Sequence, residues 1–124
     1  MKILLDTQIV CWQYYEPQRL PEMARRLMVN ADAVYVSSAT VWEIAIKARL
    51  GKINADPHRI AQEFMAGGLI ELPVSSRHAA LVAELPLYHS DPFDRLLIAQ
   101  AVAESLPILT HDEKFPLYPV KLIW

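Results

Sequence analysis

The sequence predicts an α/β domain built on a mostly parallel sheet, and three observations carry that expectation. Five short, near-continuous apolar runs recur along the 124 residues: 2–5 (KILL), 33–37 (AVYVS), 69–72 (LIEL), 107–110 (PILT) and 120–123 (VKLI). Strands apolar on both sides suit a parallel sheet whose two faces are covered by helices. Segments of helical character separate the runs, as crossover connections require. Hydrophobic residues make up 53% of the chain, enough for one core in one domain spanning 1–124.

Taken in order, the first run ends at Asp6 and residues 8–15 (QIVCWQYY) follow as a helix. Residues 21–30 (PEMARRLMVN) form the next, with Pro21 suited to a first turn. After the second run, 40–50 (TVWEIAIKARL) opens on Thr40-x-x-Glu43, the pattern of a capping box, and stops at Gly51. Residues 57–66 (PHRIAQEFMA) stop at Gly67-Gly68, and 76–85 (SRHAALVAEL) stop before Pro86. The last helix, 92–105, is introduced by Asp91-Pro92-Phe93-Asp94: an N-cap, a proline at the first helical position and an acid at the third.

Composition removes several function classes. Three glycines and no G-x-G-x-x-G or G-x-x-x-x-G-K-[ST] argue against a glycine-rich phosphate loop. Cys11 is the sole cysteine, so neither an intrachain disulfide nor a cysteine zinc site can form. That suits a reducing cytoplasm. The apolar start is broken by Asp6 and reads as a buried strand rather than a signal peptide. No run approaches the roughly 20 apolar residues of a membrane span. The net charge of −2 counts mildly against nucleic-acid binding.

Connectivity then gathers the acids. A helix that follows a parallel strand starts at that strand's C-terminal edge, and so does one that runs back before the next strand. Asp6 ends the first strand, Glu43 is in the first turn of the helix after the second, Asp94 is in the first turn of the helix before the fourth, and Asp112 lies two residues past Thr110, where the fourth ends. All four are expected at one sheet edge, where open α/β sheets bind ligands. Four converging carboxylates repel unless cations or protons join them. Oxygen donors without cysteine point to Mg2+ or Mn2+. Such a site suits phosphodiester hydrolysis, one metal activating water and another stabilising the leaving oxygen. Without these four acids, ten Asp and Glu face 12 Lys and Arg. Lys47, Arg49 and Arg95 are therefore candidate phosphate contacts. The competing reading is a non-catalytic interaction domain in which the acids only cap helices.

Four stretches together resemble one family: ILLDTQIVCW, SSATVWEIAIKARLGKI, HSDPFDRLLIAQA and LPILTHDEKF. In the same order along nearly the whole chain, they resemble PIN-domain ribonucleases, specifically the VapC-type toxins of type II toxin–antitoxin modules. The resemblance implies a three-layer α/β/α sandwich on a five-stranded sheet of order 3-2-1-4-5. It places the family's acidic set, catalytic and metal-binding, on Asp6, Glu43, Asp94 and Asp112, with Thr7 and Thr110 in support; Asp91, read from its own context as the helix cap, supports the site by positioning Asp94. The implied activity is Mg2+- or Mn2+-dependent cleavage of RNA by metal-activated water. The implied partners are RNA, a cognate antitoxin and a second copy of the chain. Trp12, Tyr14, Tyr15 and Trp42 are candidates for an apolar antitoxin surface.

Overall fold

The computed structural model describes residues 1–112 and 122–123. Strands are β1 (Lys2–Leu5), β2 (Ala33–Ser37), β3 (Ile70–Leu72), β4 (Ile108–Leu109) and β5 (Leu122–Ile123). Helices are α1 (Thr7–Tyr15), α2 (Glu22–Asn30), α3 (Ser38–Arg49), α4 (Pro57–Ala66), α5 (Ser76–Leu81) and α6 (Pro92–Glu104). Two 3-10 turns, Pro17–Arg19 and Val82–Glu84, extend the connections. The sheet runs β3-β2-β1-β4-β5 with every pairing parallel, the expected order. Val120 and Lys121 of the expected fifth strand lie outside the described residues. Among the described residues, no helix is long and apolar enough to cross a membrane.

The period-two alternation of strand side chains divides the core. Ile3 and Leu5 of β1, Val34 and Val36 of β2 and Leu109 of β4 face one side, where they pack with Ile9, Val10, Ala24, Ile44, Ile60 and Phe64 from α1–α4. Leu4 and Ile108 face the other, against Leu97, Ile98 and Ala101 of α6 and Leu85. The result is three layers, as expected. Ile3, Leu4, Leu5, Ile98, Ile108 and Leu109 are completely buried. Each such side chain stabilises the fold by about 1.5–3 kcal/mol. β3 is an edge strand, and its Ile70 and Glu71 are exposed rather than buried.

Helix boundaries show where local chemistry overrode the expected pattern. α3 begins at Ser38, because the Ser37 side chain accepts a hydrogen bond from the Ala39 N–H. The expected Thr40–Glu43 capping box is therefore incorrect. Thr40 lies inside the first turn and Glu43 in the second. The stop at Gly51 is as expected: Gly51 takes φ +74, and Lys52 N–H donates to the Lys47 carbonyl. That left-handed turn is open to glycine without strain. The expected helix over 76–85 breaks after Leu81 into the 3-10 turn.

Candidate functional site

β1 and β4 are neighbours, but the chain leaves β1 toward β2 on its other side. Their C-terminal ends therefore straddle a switch in strand order, where a crevice opens. Asp6 and Thr110 are the residues that leave those ends. Asp6 N–H still donates to the Leu109 carbonyl, at 3.0 Å, which fixes where its side chain begins. Asp6 occupies the N-cap position of α1, yet its carboxylate makes no capping hydrogen bond. The Thr110 hydroxyl donates to Asp6 Oδ2 at 2.8 Å and accepts from the Asp112 N–H at 3.0 Å. One threonine thus ties two acids to the same strand end. Thr7 is hydrogen-bonded to Thr40, Oγ1 to Oγ1, at 3.0 Å, joining the start of α1 to α3.

α6 delivers the next acids. Asp91 Oδ1 accepts from the N–H groups of Phe93 and Asp94, at 2.8 and 3.2 Å, and Pro92 occupies the first turn. Asp91 is the cap, as its sequence context indicated. Asp94, in that first turn, is left to face the sheet edge. α3 supplies Glu43, which is buried; its Oε2 pairs with Lys47 Nζ at 2.9 Å. Glu43 Oε1 is also buried and has no hydrogen-bond partner among the described residues.

Asp6, Glu43, Asp91, Asp94 and Asp112 all line one cavity of about 440 Å³, with Thr7 and Lys47 also in its wall. Burial raises the carboxyl of Asp6 to about 6, and the charges of Asp112 and Glu43 add to this, while the Thr110 hydrogen bond opposes it. Asp94 is raised further, to about 8, by burial and then by the charges of Asp6, Asp91, Glu43 and Asp112. Five carboxylates in one crevice disfavour one another's ionised forms. Of these, only Asp91 caps a helix among the described contacts, so capping does not account for the cluster. A slightly larger cavity, about 500 Å³, lies by the start of β2 and has Asp32 as its one carboxylate, paired with the amino terminus.

The donor set fits a hard divalent cation. Its carboxylate donors are oxygens, and among the described residues Glu43 Oε1 is a buried acceptor without a hydrogen-bond donor, although Oε2 of the same carboxylate pairs with Lys47. A buried acceptor left unpaired costs about 1–3 kcal/mol, which a cation at Oε1 would relieve.

The candidate phosphate contacts separate on inspection. Lys47 reaches the cavity wall, whereas Arg49 is exposed at the far end of α3 and does not line it. Arg95 is the correction. It is buried and donates to the carbonyls of Pro86, Val82 and Leu85 at 2.7, 3.1 and 3.3 Å. Its guanidinium ties the chain before α6 to the helix and is not presented to a phosphate backbone. Trp42 and Tyr15 are exposed, while Trp12 and Tyr14 are partly buried against the core.

The sequence does not single out Arg19, which lines the cavity. It marks His89 only as flanking the acids, able to orient substrate or a cap but not chosen as a ligand. His89 is buried, with Nε2 at 3.0 Å from Asp94 Oδ2 and 3.1 Å from Asp112 Oδ2. The available signal was its spacing, two residues before a helix-capping aspartate. That spacing lets its ring reach the cap residue's own N–H.

Residues 3–121 match the PIN domain family. Ribonuclease VapC22 of Mycobacterium tuberculosis is 29% identical over 114 residues, covering 90% of this chain and 88% of that protein. The fold is shared with VapBC2 from Rickettsia felis bound to a DNA fragment from their promoter, at 18% identity and a TM-score of 0.78. That match covers 100% of this chain and 99% of the other. It is also shared with a toxin–antitoxin complex from Klebsiella pneumoniae, at 18% identity and a TM-score of 0.68. Here 98% of this chain and 96% of the other are covered.

Proposed function

The chain belongs to the PIN-domain family, and from that premise we propose that it is a divalent-metal-dependent endoribonuclease, the toxin of a type II toxin–antitoxin module. The observation that carries the reading is the crevice itself. Five carboxylates from β1, α3, α6 and the end of β4 line one cavity at the strand-order switch. The RNA substrate is taken from the relative named a ribonuclease, and the antitoxin partner from the toxin–antitoxin structures that share the fold. A second copy of the chain is the other proposed partner.

Asp6, Glu43, Asp94 and Asp112 would hold Mg2+ or Mn2+. Bound there, the cation supplies positive charge for generating a water nucleophile at neutral pH and for offsetting charge on phosphate oxygens. The chain's own residues prepare that chemistry. Thr110 holds Asp6 and the backbone of Asp112, so these two donors need not be ordered when substrate arrives. Asp91 starts α6 and thereby aims Asp94. Lys47 and Arg19 are both cations in the wall that can meet a phosphate oxygen, and Lys47 also neutralises Glu43.

The test is cleavage of total cellular RNA, with product ends mapped, in Mn2+ and in chelator. Wild-type protein should cut only with metal. Asp6→Asn, which keeps an oxygen for Thr110, should lose at least about 100-fold in rate, the scale expected when a metal or its positioning is lost. Cleavage that survives both chelation and Asp6→Asn would defeat the proposal.

A further inference from the structure

We propose that His89 is a positioning residue that holds Asp94 and Asp112 together as a pair of donors for the cation, acting from the second layer rather than as a ligand. This rests on the metal-site reading above and adds a residue to it. The geometry begins at Nδ1, which lies 3.1 Å from the Asp91 backbone nitrogen. A backbone N–H can only donate, so Nδ1 is the acceptor and holds its lone pair. The ring hydrogen is then on Nε2. That single N–H sits between two carboxylates, 3.0 Å from Asp94 Oδ2 and 3.1 Å from Asp112 Oδ2. A metal ligand at Nε2 would instead need a lone pair there.

The contacts close a circuit. Asp91 N–H orients His89, Asp91 Oδ1 orients the Asp94 N–H, and Asp94 Oδ2 returns to His89. Asp112 joins from the strand side, where Thr110 already holds its backbone. Asp94 lies on α6 and Asp112 follows β4, and both are negatively charged when ionised. The His89 Nε2–H reaches both, and because one hydrogen serves two acceptors, it holds neither so tightly that a cation cannot compete. Backing groups of this kind typically change metal affinity by about 10–100-fold.

The same arrangement recurs at His78, which supports the tautomer reading. There the Ser75 N–H donates to Nδ1 at 3.0 Å, and Nε2 lies 2.8 Å from Glu104 Oε1. In both places, the backbone of an N-cap residue directs the imidazole N–H onto a carboxylate. At α5 that carboxylate is at the exposed end of α6; at α6 the carboxylates are in the candidate site.

Two variants separate positioning from ligation, with Mn2+ alone as the probe and calorimetric affinity as the readout. His89→Asn keeps an oxygen that can accept from Asp91 but loses the reach to the carboxylates. His89→Gln can place an amide N–H near the position of Nε2. The expected result is Mn2+ binding weakened about 10–100-fold in His89→Asn, with His89→Gln recovering most of the loss. Equal affinity in wild type and His89→Asn overturns the proposal, as does His89→Gln binding no better than His89→Asn. If His89→Asn fails to fold, His89→Ala takes its place in the comparison with His89→Gln, with the same two overturning outcomes. Failure of the underlying reading looks different: wild type and Asp6→Asn would both bind no Mn2+.

Discussion

Asp94 and Arg95 are adjacent in sequence and both charged, yet they serve opposite ends of the structure's logic. Asp94 faces the cavity, where burial, and after it the charges of the other carboxylates, hold it in its protonated form to an unusually high pH. Arg95 is buried among the carbonyls of Val82, Leu85 and Pro86. An arginine beside a site acid invites a phosphate-binding role, but this one completes the ends of a 3-10 turn. Arg95→Ala should therefore lower stability by about 2–4 kcal/mol, because three carbonyls lose a charged donor. Urea denaturation measures it. A loss under about 0.5 kcal/mol, the scale of an exposed side chain, would return Arg95 to the surface-contact set.

At the scale of elements, capping decides how the site is aimed. α6 starts where Asp91 and Pro92 start it, and α3 starts where Ser37 does, three residues before the apparent capping box. The shift matters for Glu43. A glutamate at the third helical position would reach back to the cap. In the second turn, it pairs with Lys47 and leaves Oε1 buried in the cavity wall. Ser37→Ala should cost about 1 kcal/mol and speed amide exchange at Ala39. Thr40→Val should leave the Glu43 amide protected, because Glu43 lies inside α3 and the Thr40 hydroxyl bonds Thr7 and not the helix backbone. Protection lost at Glu43 in Thr40→Val would restore the capping box.

At the scale of the whole molecule, the acidic crevice makes stability depend on pH in an unusual direction. Asp6 and Asp94 titrate near 6 and 8 in the folded protein, against an ordinary 3.8. Between about pH 4 and pH 8, the folded state keeps protons that the unfolded state has released. Stability therefore falls as pH rises through that window. Asp32 and Glu104 are shifted the other way and act at the acid side of it. Metal-free protein melted across this range should lose stability from acid to neutral. Asp6→Asn should flatten the lower half of the slope. Mn2+ should raise the melting temperature most at the alkaline end, the added stability being about 1.4 kcal/mol for each tenfold excess over its dissociation constant. A metal-free profile that rises steadily to pH 8 would show that the carboxylates do not crowd one another.

The sequence by itself determined the layers, the parallel sheet and the sheet edge that carries the acids. Each depends on a local regularity: apolar runs of strand length, stops at Gly51 and Gly67, and an aspartate–proline start at α6. Because a parallel strand and its crossover helices must begin and end at fixed edges, chain order alone sent Asp6, Glu43, Asp94 and Asp112 to one place. Tertiary structure decided which side chains converge there and which turn away. Thr110 clasps Asp6 from a position 104 residues later, and His89 bridges Asp94 to Asp112 across 23 residues. Arg95 folds back into a turn that the 76–85 pattern, read as one helix, concealed. These contacts join residues far apart in the chain or reverse an exposed-looking charge inward. Neither leaves a periodic trace in the sequence, because hydrogen-bond partners are chosen by proximity after the layers have packed.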